Sequence, residues 1–256
     1  LELRGGRLEL TGTKDASAKC EMAREPALHF DPSQTNKWQI VDDGTVKKIN
    51  WWEDLTGKNG GFAIFVDCDR SPHLDTVNTQ NGLPVVDFGA LGSPRWFTLC
   101  KPIESAYHCY AVCNIYKGGV IFGSNPRLGK ASGYTYYDWH RAKWEAGSAL
   151  FLFPTLYNWN GVVTNGVPTN GYCVPTDEMQ LFEFHQNQGT HISGMCVDRN
   201  IGGRSGGAVA GEMIAYDRPL TEREKIATRN YLMQKWFGKT DAELSDLPAA
   251  TVTESY

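Results

Sequence analysis

Short apolar or alternating runs, bordered by Gly, Pro, Asn and Asp, recur along the chain from residue 27 onwards. They include "GFAIFVD", "PVVDFG", "RWFTLC", "AYHCYAVCNIY", "GGVIFGS", "ALFLFP", "MQLFEFHQ", "HISGMCVD" and "GAVAGEMIAYD". Strands separated by turn signals at this spacing predict an all-β sandwich or barrel. Alternating helical patterns are absent, which excludes a parallel α/β sheet. The opening "LELRGGRLEL" fits a hairpin turning at Gly5-Gly6, with Leu3 opposite Leu8. That register also sets Arg4 against Arg7, so a rung of a larger β-repeat competes with it.

One long helical signal closes the pattern, in "YDRPLTEREKIATRNYLMQKW" (Tyr216–Trp236). Thr221 and Glu224 make a capping box, and Gly238 supplies a stop. Ile226, Met233 and Phe237 fall on one narrow stripe, widened by Leu232 and Trp236. The helix presents no pair of histidines or carboxylates aimed at one point, so its expected role is structural.

Composition narrows the class. The chain has 256 residues, 41% of them hydrophobic, with 27 Gly, 8 Trp, 11 Tyr and 11 Phe. This is enough for a sizeable aromatic core. A formal charge of -4 without a basic run argues against nucleic acid. No apolar run approaches the ~18 residues of a membrane helix, so no membrane insertion is expected. The seven cysteines form no CxxC pair, which argues against a zinc ribbon. Cys109 and Cys113 lie roughly 13 Å apart along a strand, too far to bridge, and read as small core residues on one face.

The closing segment resembles bacterial concanavalin A-like domains of the laminin-G-like jelly-roll group. The residues that carry the likeness are Tyr216, Asp217, Arg218, Leu220, Thr221, Glu224, Tyr231, Leu232, Lys235 and Trp236. "ALHFDPS" with Trp52, Asp54 and Gly57 resembles the opening strand and turn of that group. "NGLPVVDFG", "CYAVCNIYKGGVIFG" and "IGGRSGGAVAGEMIAYD" follow in the same order as its later strands. The resemblance implies a two-sheet antiparallel jelly-roll sandwich over 26–238, with one helix capping an open end or edge. It leaves 1–25 as a lead-in segment of a larger secreted or surface protein, and 239–256 as an acidic tail or linker. Extracellular or cell-surface localisation follows from the resemblance alone.

Candidate chemistry is sparse. The Glu-x-Asp-x-x-Glu pattern of glucanases with this fold is absent. Asp177, Glu178 and Glu183 do not share strand spacing, so a non-catalytic domain is favoured over a glycoside hydrolase with an atypical carboxylate pair. "FHQNQGTH" places His185 and His191 where a hairpin would make them cross-strand neighbours. "DCDRSPHLD" offers Asp67, Asp69 and Asp75 to a calcium ion, although no cofactor is required. The densest recognition signal is "GYTYYDWHRAKWEAG" with "PTLYNWNG". Tyr134, Tyr136, Tyr137, Trp139, Trp144, Tyr157 and Trp159 could stack on sugar rings, with Arg141 and its polar neighbours binding hydroxyls. The same rings could equally cover the core. A glycan is the first expected partner. A surface protein bound by a structural or adhesive module is the alternative.

Overall fold

The computed structural model describes residues 21–59, 71–115, 121–123, 162–169, 178–186, 191–197 and 205–245. It also describes the backbone alone of strand residues 2–4, 7–9, 62–63, 142–145, 148–151, 159–161, 172–173 and 187–190. Strands β1 (Glu2–Arg4) and β2 (Arg7–Glu9) pair antiparallel, with Leu3 opposite Leu8 and Arg4 opposite Arg7. The hairpin alternative is therefore the one adopted.

The next strands are β3 (Leu28–Phe30), β4 (Trp38–Asp42), β5 (Lys47–Trp52), β6 (Phe62–Ala63), β7 (His73–Gln80) and β8 (Leu83–Asp87). They are followed by β9 (Phe97–Ile115), β10 (Phe122–Gly123), β11 (Ala142–Glu145), β12 (Ser148–Phe151), β13 (Trp159–Thr164) and β14 (Val167–Pro168). Then come β15 (Tyr172–Cys173), β16 (Gln180–Met195), β17 (Ala208–Tyr216), helix α1 (Glu222–Phe237) and helix α2 (Asp241–Ser245). Strands β11, β12 and β15 form a small sheet of their own, and twelve strands join one large antiparallel sheet.

That sheet curls. Strand β9 runs beside β16 along one edge, and its other edge pairs first with β6 and then with β17. From β17 the ladder continues through β8, β7 and β5 back to β6. The all-β expectation holds, and the main ladder is continuous rather than split between two separate sheets. The β7–β8 turn is a two-residue hairpin at Asn81 (φ 49) and Gly82 (φ 75), the pair that such turns favour.

Period-2 alternation gives the central strands two buried faces. Cys109, Ala111 and Cys113 of β9, Phe182 and Phe184 of β16, and Met213 and Ala215 of β17 point into the curl. Both cysteines are free thiols in the core, as their spacing implied. Trp52 lies among them, its ring 5.1 Å from those of Phe30 and Trp38 and 5.6 Å from that of Phe97. Tyr110, Val112, Leu181, Ile214 and Tyr216 point the other way, into a second core closed by Leu232, Met233 and Trp236 of α1.

The helix therefore lies across the outer face of β16, β9 and β17, instead of capping an end or edge. Its capping box forms as expected, and Gly238 ends it in the left-handed conformation. The face it buries is Lys225, Thr228, Arg229, Leu232, Met233 and Trp236. Ile226 and Phe237 of the expected stripe sit half-buried on its flanks. Half of the buried face is polar, which hydrophobic periodicity does not register. Gly211 permits the approach, because a Cβ there would lie 2.9 Å from the Trp236 ring. Beyond α1, Leu244 of α2 is buried in the same second core.

Candidate functional site

Two buried carboxylates organise the polar face beneath α1. A register shift between Ala210 and Met213 of β17 turns Glu212 towards the helix. Its Oε1 accepts hydrogen bonds from His29 Nε2 (2.6 Å) and Tyr231 Oη (2.8 Å). Its Oε2 accepts from Lys235 Nζ (2.6 Å) and Trp236 Nε1 (2.8 Å). Lys235 Nζ also reaches Asp31 Oδ2 at 2.6 Å, tying the loop after β3 to the helix. Burial alone would raise the Glu212 pKa, yet the His29 hydrogen bond and the Lys235 charge hold it at about 2. Burial first, and then the Glu212 charge beside it, push the Tyr231 phenol far above its usual range.

The second carboxylate is Glu183 of β16. Arg229 donates to it twice, from Nε at 2.6 Å and from Nη2 at 3.0 Å. His185 Nε2 lies 3.3 Å from the same group, and His185 Nδ1 lies 3.0 Å from His108 Nδ1 on β9. An ionised carboxylate only accepts, so His185 presents Nε2–H to Glu183, and the contact between the two Nδ1 atoms needs one donor and one acceptor. Burial, then the charges of His185, Lys225 and Arg218, push His108 down to about 3. Burial works against ionisation of Glu183, but the His185 hydrogen bond and Arg229 hold its pKa below the ordinary value.

Residues outside the helix follow the same logic. Asp54, fully buried, accepts from the backbone N–H groups of His29 (2.9 Å) and Thr56 (3.1 Å) and from Asn59 Nδ2 (2.9 Å). Gly57 turns that loop at φ 69. Tyr216 donates to the carbonyl of Ala23 at 2.9 Å, and Arg218 pairs with Glu224 at 2.7 Å. The motif residues on which the sequence resemblance rests are thus anchors of the scaffold.

An open groove of ≈ 740 Å³ lies beside the C-terminal end of α1. Its polar wall is Asp75, Asn78, Asp87, Asn114 and Glu178, and Phe237 and Val209 contribute apolar surface. A second hollow of ≈ 410 Å³ shares Asp75, Asn78 and Asp87 with it. The register of β7 against β8 shifts between Asp75 and Gln80, so residues 76–79 bulge outwards between the two. Asp75 Oδ1 accepts from the N–H groups of Val77 and Asn78, and its Oδ2 from Asn78 Nδ2. These bonds lower its pKa against the opposing effect of burial. Asp87 accepts from the Gly89 N–H at 2.7 Å and pairs with Arg95 at 3.2 Å.

The sequence reading placed the ligand site elsewhere. Tyr134, Tyr136, Tyr137, Trp139, Arg141 and Tyr157 lie outside the described residues, as do the side chains of Trp144 and Trp159 on β11 and β13. Asp67 and Asp69 also lie outside them, while Asp75 is committed to its own turn. His185 and His191 are not hairpin partners, because both sit on the uninterrupted β16, and His185 meets His108 instead. Sequence reasoning missed the grouping of His29, Asp31 and Glu212, whose ligand atoms lie within 4.8 Å of one another. Only the "HFD" of β3 and the lone acid in "GEMIAYD" hinted at it, 183 residues apart. No helix among the described residues is long and apolar enough to cross a membrane. No protein-family model, curated protein or solved structure matches the chain.

Proposed function

We propose that the protein is a non-catalytic recognition module of a secreted or surface protein, that its ligand is a carbohydrate, and that the groove beside α1 is a binding face. The observation that carries this is the lining of that groove, where carboxylate, amide and hydroxyl groups from four strand regions surround a smaller apolar surface. Sugars need that combination, with acceptors and donors for hydroxyls and an apolar patch for the ring face. Its volume lies within the roughly 300–1,000 Å³ of small-ligand pockets. Glu183 and Glu212 are sealed and saturated, and Asp75 and Asp87 hydrogen-bond their own turns, which favours binding over acid–base catalysis. We take the curled sheet as a concanavalin A-like jelly roll, on the order of the motifs along the chain; fold alone does not select a ligand.

A glycan array tests this, with the intact protein beside Asn78→Ala/Glu178→Ala and Trp139→Ala/Trp144→Ala variants. Binding that the first variant abolishes, with circular dichroism unchanged, is the expected result. Silence across the array contradicts the carbohydrate reading, and loss only in the tryptophan variant moves the site to 134–159. One observation favours the protein-binding alternative: Val77, 85% exposed, crowns the β7 bulge. An adhesive partner would lose affinity on Val77→Ser, whereas a glycan ligand held in the groove would not.

A further inference from the structure

The grouping of His29, Asp31 and Glu212 differs from an acidic surface cluster in two respects. It combines an imidazole with two carboxylates, and it already holds a cation. Asp31 and Glu212 are almost fully buried, with 2% and 0% exposure. The three side chains come from β3, the loop after it and β17, and each offers a ligand atom within 4.8 Å of the others. The Lys235 ammonium is 2.6 Å from Asp31 Oδ2, 2.6 Å from Glu212 Oε2 and 3.2 Å from Tyr231 Oη. Its three N–H donors are thereby all spent on oxygen. The Lys235 side chain is 20% exposed, so its stem enters from solvent and closes the site from outside.

We infer that His29, Asp31 and Glu212 form a cation-coordination site in which the tethered Lys235 ammonium stands where a divalent transition ion would bind. One imidazole nitrogen with two carboxylate oxygens is a donor set that suits Zn²⁺ or Co²⁺ and leaves a fourth position for water. Two buried carboxylates carry two negative charges, which a dication would meet at one point, whereas the intact site meets them with the Lys235 ammonium and the His29 ring. Truncating Lys235 removes the resident cation and opens the path its stem fills. His29 Nε2 now meets Glu212 Oε1 at 2.6 Å, so as a ligand its ring takes the tautomer protonated on Nδ1. Asp31 Oδ1 keeps its bonds from the Ser33 N–H (2.9 Å) and hydroxyl (2.7 Å), and Oδ2, which faces Lys235, also accepts from Gln34 Nε2 at 3.3 Å; these bonds orient the carboxylate. Ligand orientation by such outer partners is what metal sites require.

The test compares the intact protein with Lys235→Ala and with Lys235→Ala/His29→Ala. Equilibrium dialysis against Co²⁺, visible absorption of the bound ion, and melting with and without Zn²⁺ are the readouts. Lys235→Ala is expected to take up one Co²⁺ per chain with a nitrogen- and oxygen-ligated spectrum. Its melting point should rise by about 5 °C or more at saturating Zn²⁺. The intact protein should show neither effect, and the added His29→Ala should abolish both. If Lys235→Ala does not fold unaided, the yield of folded protein on refolding with and without Zn²⁺ takes the place of melting. Uptake no greater than that of the intact protein, with no gain in melting point or refolding yield, overturns the inference.

Discussion

The polar groups beneath α1 and those lining the groove are the same chemical types in opposite circumstances. Under the helix, Glu212 accepts four hydrogen bonds and Glu183 a bidentate guanidinium, and both are excluded from solvent. In the groove, Asn78, Thr79 and Glu178 face solvent. Saturated polar groups hold elements together and, while their partners stay in place, offer nothing to a ligand. Exposed ones cost little to carry and lie within a ligand's reach. The contrast separates scaffold from binding face without appeal to the identity of any one residue.

The largest expected effect breaks the scaffold side. Arg229→Leu leaves Glu183 buried with only the longer His185 contact in place of its bidentate guanidinium, and should cost about 3 kcal/mol in denaturant unfolding. The double variant Arg229→Leu/Glu183→Leu should recover most of that loss, because it removes the uncompensated charge as well.

Acid should reach the same region next. The folded His108 pKa lies at about 3 and its ordinary value is 6.5, so the folded state binds fewer protons than the unfolded one. Its contribution is complete above pH 6.5 and is lost as pH falls towards 3, at up to about 1.4 kcal/mol per pH unit. Glu212, lowered from 4.5 to about 2, adds a loss only below about pH 4.5. Stability measured between pH 6.5 and 4.5 should therefore slope in the intact protein and slope less steeply in His108→Gln, the remainder coming from His73, whose pKa burial also lowers.

Smaller effects sharpen the boundary. Gly211→Ala drives a methyl group against the Trp236 ring, and should cost roughly 1–3 kcal/mol. Thr221→Ala removes the capping box of α1, at about 1 kcal/mol. Thr79→Ala in the groove should change stability by no more than about 0.5 kcal/mol while weakening ligand binding, the reverse of every scaffold variant.

Much of this architecture was legible in the sequence. The core cysteines, the capping box and the glycine stop depend on local pattern and appear where that pattern put them, while β9 and β16 each run through what read as a break between two strands. The docking face of α1 was not legible, because Thr228, Arg229 and Lys225 are buried against partners that lie far off in sequence. Arg229 meets Glu183 across 46 residues and His29 meets Glu212 across 183. The β17 register shift that aims Glu212 at the helix adds a residue to one strand, which alternation cannot locate. The groove was hidden for a related reason. Its wall is assembled from β7, β8, β9 and the approach to β16, each contributing one or two ordinary polar residues. The aromatic segment is legible because its signal is contiguous, and its side chains lie outside the described residues.

Amide chemical-shift mapping during titration with the best-binding oligosaccharide from the array tests the central claim most directly. The account predicts shifts clustered at Asn78, Asp87, Asn114 and Glu178, with Glu183, Glu212 and Arg229 unmoved. Shifts concentrated on the helix and its carboxylates, with the groove silent, would contradict it.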